Sequence, residues 1–236
     1  MKVMSKTTGL RNRDIFTSVK DKYLNRYGKG SGIVITQSYL RLQSAVLSTQ
    51  SSIQFGVLVN ELAPNTSTVD PSEKRLSLVD NFLITEMRFS LLKVATGDTA
   101  SISPLFQYPN EYVFTGSGEA KNLESVYNSS FSLLINGETI LDSWDVRRHY
   151  RVGTAQQGLA VSTAASANTY AADTHDSASY GYFPVTPQIE LRGNAKNKLT
   201  INLPVSVNLA GTSSSNYIVC ELRGLLVQNG SAIAQR

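Results

Sequence analysis

The sequence is poor in charged and reactive side chains. Only 17% of its 236 residues are charged, and it contains two histidines and one cysteine. The single cysteine, Cys220, excludes an intrachain disulfide bond, and its position in an apolar stretch predicts a buried, unreactive thiol. His149 and His175 are not spaced as a pair of metal ligands, and there is no glycine-rich phosphate loop, His-Glu metal motif or Gly-x-Ser-x-Gly elbow. We therefore predict that the protein is not an enzyme and uses no cofactor or metal.

Long hydrophobic runs are also missing. No run approaches the length needed to cross a membrane, and no apolar segment follows the basic N-terminal residues. We therefore expect neither a transmembrane segment nor a signal peptide. Serine, threonine, asparagine and glycine take the place of charged residues, which is typical of proteins with neutral polar surfaces and also of many ordinary β-sandwiches. The length allows one large β domain or two small ones.

The positive charge is concentrated at the N-terminus. Residues 1–30 carry eight basic and two acidic side chains, a net charge of +6, so the rest of the chain carries −2 of the total of +4. We interpret residues 1–13 as an extended arm and predict a helix over residues 14–27, followed by a glycine hinge at residues 28–32. The apolar stripe of this helix would consist of Phe16, Val19, Tyr23 and Tyr27. These features divide the chain into an N-terminal arm, residues 1–32, and a domain, residues 33–236.

Alternation of apolar and polar residues predicts β-strands in that domain. The longest alternation covers residues 198–210, and Pro204 on its polar phase indicates an edge strand or a bend. Its core-facing side would carry Leu199, Ile201, Leu203, Val205 and Val207. Residues 217–227 are apolar on both phases, as expected for a strand covered on both faces. Residues 85–91 also alternate, with Met87, Phe89 and Leu91 on the apolar phase.

Other local patterns refine the predicted fold. A change of phase between residues 33–35 and 40–46 implies a β-bulge or a break in the strand near Gln37. Asn136 and Gly137 lie between two β runs and predict a type I′ hairpin, because both turn residues must accept a positive φ. Residues 144–152 would extend that sheet and place Asp145, Arg147, His149 and Arg151 together on one charged face. The predicted fold is an all-β, jelly-roll-like antiparallel sandwich with a helix only in the arm.

Residues 153–187 interrupt the β pattern. They are rich in alanine, serine, threonine, glycine and tyrosine, and a loop of this length is unusual inside a compact domain. We expect it to be functional, disordered or ordered by a neighbouring subunit. Asp173, His175 and Asp176 could in principle hold a cation, but a solvated loop tip is the interpretation we favour. The aromatic residues of the loop that we predict to contact other subunits are Tyr170, Tyr180, Tyr182 and Phe183.

A basic arm, a glycine hinge, about eight antiparallel strands and long loops together resemble the organisation of virion shell proteins. The similarity is to jelly-roll or related β-sandwich capsid proteins, including those of bacteriophages, and it covers the whole chain without a specific motif. The resemblance implies a structural virion protein, made in the host cytoplasm, that assembles into a capsid or decorates it. Its sandwich would tile the shell, and its loops and arm would contact copies of itself and other virion proteins.

The features of the N-terminal arm are compatible with two kinds of binding partner. Its charge is sufficient for non-specific, salt-sensitive contact with nucleic acid or another polyanion, although many basic termini bind nothing. The basic residues concerned are Lys2, Lys6, Arg11, Arg13, Lys20, Lys22, Arg26 and Lys29. The apolar stripe instead favours contact with a neighbouring subunit. An alternative function for the whole chain is a carbohydrate-binding or adhesion β-sandwich, in which the loop aromatics would face the sugar.

Overall fold

The chain folds into two antiparallel β-sheets that pack face to face. The computed structural model describes residues 17–21, 25, 33–63, 69–101, 103–152, 181–211 and 214–233. The strands are β1 (Val34–Ala45), β2 (Gln50–Phe55), β3 (Asn81–Ala95), β4 (Leu105–Phe106), β5 (Ser130–Ile135), β6 (Glu138–Asp145), β7 (Phe183–Arg192), β8 (Asn197–Val207) and β9 (Ser214–Gln228). Apart from the helical residues 17–21 and 25, the described chain contains two α-helices, α1 (Glu119–Tyr127) and α2 (Gly230–Ile233), and a 3-10 turn (Val146–His149). The prediction of an all-β antiparallel fold is confirmed.

The two sheets differ in the number and the order of their strands. The five-stranded sheet has the order β1-β9-β3-β4, with β7 also paired to β3, and the four-stranded sheet has the order β2-β8-β5-β6. A turn at residues 193–196, which contains Gly193 and Asn194, connects β7 of the first sheet to β8 of the second. The chain passes between the sheets at most connections, except from β3 to β4 and from β5 to β6, and the inward faces of both sheets contribute to one core.

That core is centred on aromatic side chains from both sheets. The ring of Phe89 on β3 lies 5.1 Å from the ring of Phe131 on β5 and 6.4 Å from that of Phe55 on β2. Met87 and Leu91 are buried in the same cluster, which confirms the predicted inward phase of β3. Truncation of a buried phenylalanine to alanine typically costs about 3–5 kcal/mol, so these rings are major contributors to stability.

Strand β9 is covered on both faces, as predicted. It lies between β1 and β3, and its residues Cys220 and Leu222 belong to the central core. Val219 and Val227 are buried on the opposite face, in separate small clusters. The thiol of Cys220 is fully buried, and burial raises its pKa well above the ordinary value. The prediction of a core thiol is confirmed.

The predicted bulge near Gln37 is wrong. Strand β1 pairs with β9 in unbroken register from Val34 to Ala45. Its two apolar phases serve two faces of the sheet instead: Leu40 and Leu42 point into the central core, whereas Ile35 packs in a cluster on the outer face. The apolar residues therefore change phase because a different face of the strand is covered in each half. No extra residue is inserted into the strand.

Strand β8 departs from its predicted phase at Val205, whereas Val207 packs, partly buried, against the core as predicted. Leu199 and Leu203 are buried in the core, but Val205 is 59% exposed, so the prediction that Val205 faces the core is wrong. Pairing with β5 ends at Asn202, and pairing with β2 becomes irregular beyond that residue. Pro204 lies in this irregular stretch of a central strand, which excludes the edge position and agrees with the predicted bend.

Helix α1 contradicts the prediction that a helix occurs only in the arm. Leu123, Val126 and Tyr127 are spaced as one helical face and are buried in the core. At its N-terminus, the Glu119 carboxylate accepts a hydrogen bond from the backbone N–H of Gly116 at 2.7 Å. The helix is short, and its apolar stripe of three residues gave a weak periodic signal beside the neighbouring strands.

The predicted type I′ hairpin joins β5 and β6. Asn136 and Gly137 have φ values of 53° and 85°, both in the left-handed region. The strand that follows ends at Asp145, so the predicted continuation through residue 152 is wrong. The predicted loop over residues 153–187 also ends too late, because β7 begins at Phe183. Residues 153–180 lie outside the described residues.

Candidate functional site

Most of the predicted contact residues lie outside the described part of the chain. Those outside are Lys2, Lys6, Arg11, Arg13, Phe16, Lys22, Tyr23, Arg26, Tyr27, Lys29, Tyr170 and Tyr180, together with the possible cation ligands Asp173, His175 and Asp176. Residues 17–21 and 25 are helical, within the helix predicted over residues 14–27. Lys20 in this segment is exposed, and its contact with a polyanion stays a prediction.

Val19 of the same segment packs on the protein's own sheet. It is 7% exposed and lies in a cluster with Leu83, Leu225 and Val227 on the outer face of the five-stranded sheet. Burial of a valine side chain contributes about 1.5–3 kcal/mol. The N-terminal helical segment is therefore attached to the outer face of this sheet, and contact of its apolar stripe with another subunit stays a prediction.

A groove of about 700 Å³ crosses the outer face of the same sheet. We call it the arginine groove. It is defined by Arg41, Glu86, Arg88, Tyr182, Glu221 and Arg223. Leu225 lines it as well and also packs against Val19, so the groove begins where the N-terminal segment is attached. Three guanidinium groups face two carboxylates, which leaves the groove with a local excess of positive charge.

Strand register brings these side chains together. Arg41 of β1, Glu221 of β9 and Arg88 of β3 lie opposite one another in one row across the sheet. Tyr39, Arg223 and Glu86 form the adjacent row. Directly opposed side chains on one face of an antiparallel pair are close enough to interact. Each row therefore places charges of opposite sign on neighbouring strands.

The two arginines of the first row differ in their partners. Arg88 Nε donates to Glu221 Oε2 at 2.6 Å, and the Arg88 and Glu221 side chains are only 13% and 11% exposed. Arg41 Nε is buried and has no hydrogen-bond partner. A buried donor without an acceptor costs free energy, about 1–3 kcal/mol or more for a charged group. The row therefore combines a satisfied ion pair with an unsatisfied guanidinium nitrogen.

Tyr182, which was predicted to contact other subunits, lies in the arginine groove. Its ring centre is 3.7 Å from the guanidinium carbon of Arg223 and 4.5 Å from that of Arg88, both within the range of cation–π contacts. Burial, and secondarily the charge of Glu221, raises the pKa of the Tyr182 hydroxyl above its usual value. Tyr182 thus remains a neutral, oriented ring at neutral pH, and the predicted subunit contact is untested.

A short segment fixes the rim of the arginine groove. The Glu73 carboxylate accepts a hydrogen bond from the backbone N–H of Gln43 at 2.8 Å and pairs with Arg75 at 2.9 Å. Lys74 follows with its Nζ 3.0 Å from Ser38 Oγ and 4.7 Å from the ring centre of Tyr39. The segment is thereby held along the outer edge of β1, and Lys74 adds another positive charge to the rim.

His149 occupies a second cluster, in which it is fully buried. Its Nε2 accepts a hydrogen bond from Trp144 Nε1 at 3.0 Å, so the proton lies on Nδ1, which donates to the carbonyl oxygen of Gly181 at 3.1 Å. The rings of Phe89 and Phe183 contact the imidazole edge-to-face, with centroids at 5.0 and 5.8 Å. Burial lowers the pKa of His149 to about 4, which keeps it neutral near pH 7.

The predicted charged face formed by Asp145, Arg147, His149 and Arg151 is wrong. The 3-10 turn that follows β6 sends these side chains in different directions. Arg147 lies over the ring of Tyr150 and pairs with Glu124, while Arg151 lies 5.7 Å from the ring centre of Phe183. His149 points into the core. The cluster therefore anchors the chain at residues 149–151 and 181–183 and offers no continuous charged surface.

A third polar cluster is structural. Lys93 Nζ lies 3.0 Å from the buried carboxylate of Glu119, which also accepts a hydrogen bond from Asn216 at 2.7 Å. Because removal of one partner would leave the other charge buried, this pair ties α1 to strands β3 and β9. Its carboxylate is saturated by these donors and by Gly116, so the cluster has little capacity for a ligand.

Among the described residues, no group of three or more His, Cys, Asp or Glu side chains could hold a metal ion. The helices that the structure describes include none of the length and apolarity required to cross a membrane. The sequence matches no protein-family model and no curated protein. The arginine groove is consequently the candidate functional site with the most distinct chemistry in the described chain.

Proposed function

We propose that the protein is a structural subunit of a virion shell, with a jelly-roll-like sandwich that assembles with copies of itself and with other virion proteins. The observation that carries this proposal is the difference between the outer faces of the two sheets. The five-stranded sheet carries the attached N-terminal segment and the arginine groove, whereas strands β2, β8 and β5 of the four-stranded sheet carry polar side chains of which only Lys198 is charged. A shell subunit needs such a difference, because one side faces the interior and another faces neighbours or solvent.

The neutral face consists of two rows across β2, β8 and β5. Ser52, Asn202 and Ser130 form one row, which Asp145 continues on β6; Gln54, Thr200 and Ser132 form the other, in which Thr200 and Ser132 are buried. Asn202 is exposed, and it donates to Ser132 Oγ at 3.2 Å. The accessible side chains of the first row, Ser52, Asn202 and Ser130, can exchange hydrogen bonds with a similar surface without the cost of desolvating a charge of their own. The face therefore supports close packing between subunits.

The edges of the sandwich favour contact through faces. Strand β7 carries Pro184 and Pro187 at the edge of its sheet, and β6 carries the exposed acidic residues Glu138 and Asp142 at the edge of the other. Proline and charge at sheet edges oppose the addition of a further strand. Copies of the chain would accordingly meet through their flat faces and through the N-terminal segment.

Size-exclusion chromatography with light scattering, followed by electron microscopy of the oligomeric fraction, tests the proposal. The unmodified protein is expected to form oligomers or particles. Asn202→Asp introduces a charge on the neutral face and should reduce assembly while the melting temperature stays close to that of the unmodified protein. Asn194→Asp, the same change in an exposed turn away from this face, is the matched control. A monomer at all concentrations, or equal assembly of both variants, would contradict the proposal.

A carbohydrate-binding function is the second candidate, and the arginine groove is the observation that favours it. Its combination of charged, amide and aromatic side chains is suited to a polar ligand of moderate size. A stable monomer that binds saccharides would favour this function over assembly. The two functions are compatible in one chain, since the groove and the neutral face lie on different sheets.

A further inference from the structure

We infer that the arginine groove binds an acidic saccharide, and that Arg41 is the residue that pairs with the ligand's carboxylate. The inference concerns the groove on the five-stranded sheet and does not depend on assembly through the other sheet.

Arg41 is the starting point. Its Nε is buried without a hydrogen-bond partner, although its neighbour in the row, Glu221, is close enough to Arg88 to form an ion pair. The Arg41 side chain also lines the groove, where a carboxylate would be within reach of the terminal nitrogens of its guanidinium group. Arginine and carboxylate form charge-assisted hydrogen bonds in a planar, two-point geometry, which is the strongest polar contact available to this side chain.

The other groups of the groove are suited to hydroxyl groups. Glu86 lies in the row next to Arg41 and is half-buried, and the Thr85 and Ser38 hydroxyls line the same groove. Carboxylate oxygens accept hydrogen bonds and cannot donate them, so they select ligands that carry donors such as sugar hydroxyls. At the rim, Tyr39 is 48% exposed and offers an apolar ring surface to the C–H face of a sugar.

The same carboxylates disfavour a nucleic acid. A strand of nucleic acid carries a negative charge at every phosphate, and a path along the groove would bring these charges close to Glu86 and Glu221. Like charges at short distance in a partly buried site repel each other strongly. An acidic saccharide also carries negative charges, but each is accompanied by several hydroxyl groups that can donate hydrogen bonds to the carboxylates of the groove, which phosphate groups cannot do.

Isothermal titration calorimetry of the purified full chain with a galacturonic acid trimer tests the inference, with the uncharged galactose trimer as the reference ligand. We expect the acidic trimer to bind and the uncharged trimer to bind at least tenfold more weakly. Arg41→Gln should weaken binding of the acidic trimer about tenfold to a hundredfold, the range expected for the loss of a hydrogen bond to a charged group. Arg41→Lys, which keeps the charge but loses the planar fork, should fall between.

Arg192→Gln is the matched control, because Arg192 lies on β7 outside the groove and its side chain is 47% exposed. Its affinity for the acidic trimer should equal that of the unmodified protein, and thermal melting checks that all variants are folded. The inference is overturned if the acidic trimer does not bind, if Arg41→Gln and Arg41→Lys leave its affinity unchanged, or if the uncharged trimer binds equally well. It is also overturned if an oligonucleotide or an oligoglutamate competes for the groove with higher affinity. Light scattering on the same samples reports assembly separately.

Discussion

Acid should destabilise this protein through His149. The imidazole is fully buried, accepts from Trp144 and donates to the carbonyl of Gly181, so both nitrogens are used by the neutral form. Protonation would turn the acceptor Nε2 into a donor that faces the Trp144 N–H. Arg148 and Arg151 oppose the added positive charge and Asp145 favours it, but burial is the largest cause of the lowered pKa.

The magnitude follows from the two pKa values. The pKa of His149 is about 4 in the folded protein, against an ordinary 6.5 for the unfolded chain. The unfolded chain therefore takes up the proton first, so the stabilisation is complete above pH 6.5 and is lost as the pH falls to 4. At 1.36 kcal/mol per pKa unit, this difference gives a loss of roughly 3 kcal/mol in the free energy of unfolding. That is a large part of the 5–15 kcal/mol typical of a folded protein.

Urea unfolding between pH 4 and 7, followed by the fluorescence of Trp144, measures this loss. His149→Gln can accept from Trp144 and donate to Gly181 but does not titrate. The free energy of unfolding of this variant should therefore fall less between pH 6.5 and 4, because residue 149 no longer takes up a proton. This holds even if the variant is less stable than the unmodified protein at pH 7. His175→Gln changes the only other histidine and should retain the full slope. If His149→Gln and the unmodified protein lose the same stability across this range, the assignment of the acid sensitivity to His149 is incorrect.

Three further results are expected. Leu203→Asp should lower the free energy of unfolding by several kcal/mol, because it buries an unpaired charge, whereas Val205→Asp should have a mild effect because Val205 is 59% exposed. Equal stability of the two variants in chemical denaturation would contradict this assignment of the inward and outward faces of β8. Gly181→Ala should destabilise the protein by about 1–2 kcal/mol or more, since φ is +73° and the added carbon would meet the Gln107 side chain; an unchanged melting temperature would contradict this. The Cys220 thiol should react with a disulfide reagent only upon unfolding, and rapid labelling of the native protein would show that it is accessible.

The sequence correctly predicted which side of a strand faces the core where one face of that strand is clearly apolar. The alternation at Met87, Phe89 and Leu91 located the core side of β3, and Asn136-Gly137 located a hairpin, because both signals depend on nearby residues only. Prediction failed for a strand in which the face covered by other parts of the protein changes along its length. In β1 the outer face is covered at Ile35 and the inner face at Leu40, which looks like a bulge in a one-dimensional pattern.

The arginine groove could not be predicted for a related reason. Arg41, Arg88 and Arg223 are far apart in the sequence, and each is only one polar residue on an alternating strand. Their proximity depends on the register of β1 and β3 against β9, which no local pattern specifies. His149 was assigned to an exposed charged face because the strand was assumed to continue past Asp145. The 3-10 turn that buries the imidazole was not recognised, because the residues after Asp145 are rich in arginine and were interpreted as an exposed strand.

The hydrogen bond between His149 and Gly181 has a consequence for engineering. It joins, at 3.1 Å, two points of the chain that flank residues 153–180, and Arg151 and Gly181 both contact Gln107 at the same place. This hydrogen bond holds together the two ends of any sequence placed between them, and for a flexible insert each doubling of its length changes the closure free energy by only about 0.6 kcal/mol. This position is therefore suited to the insertion of foreign epitopes or small domains, with the sandwich acting as a carrier for the inserted sequence.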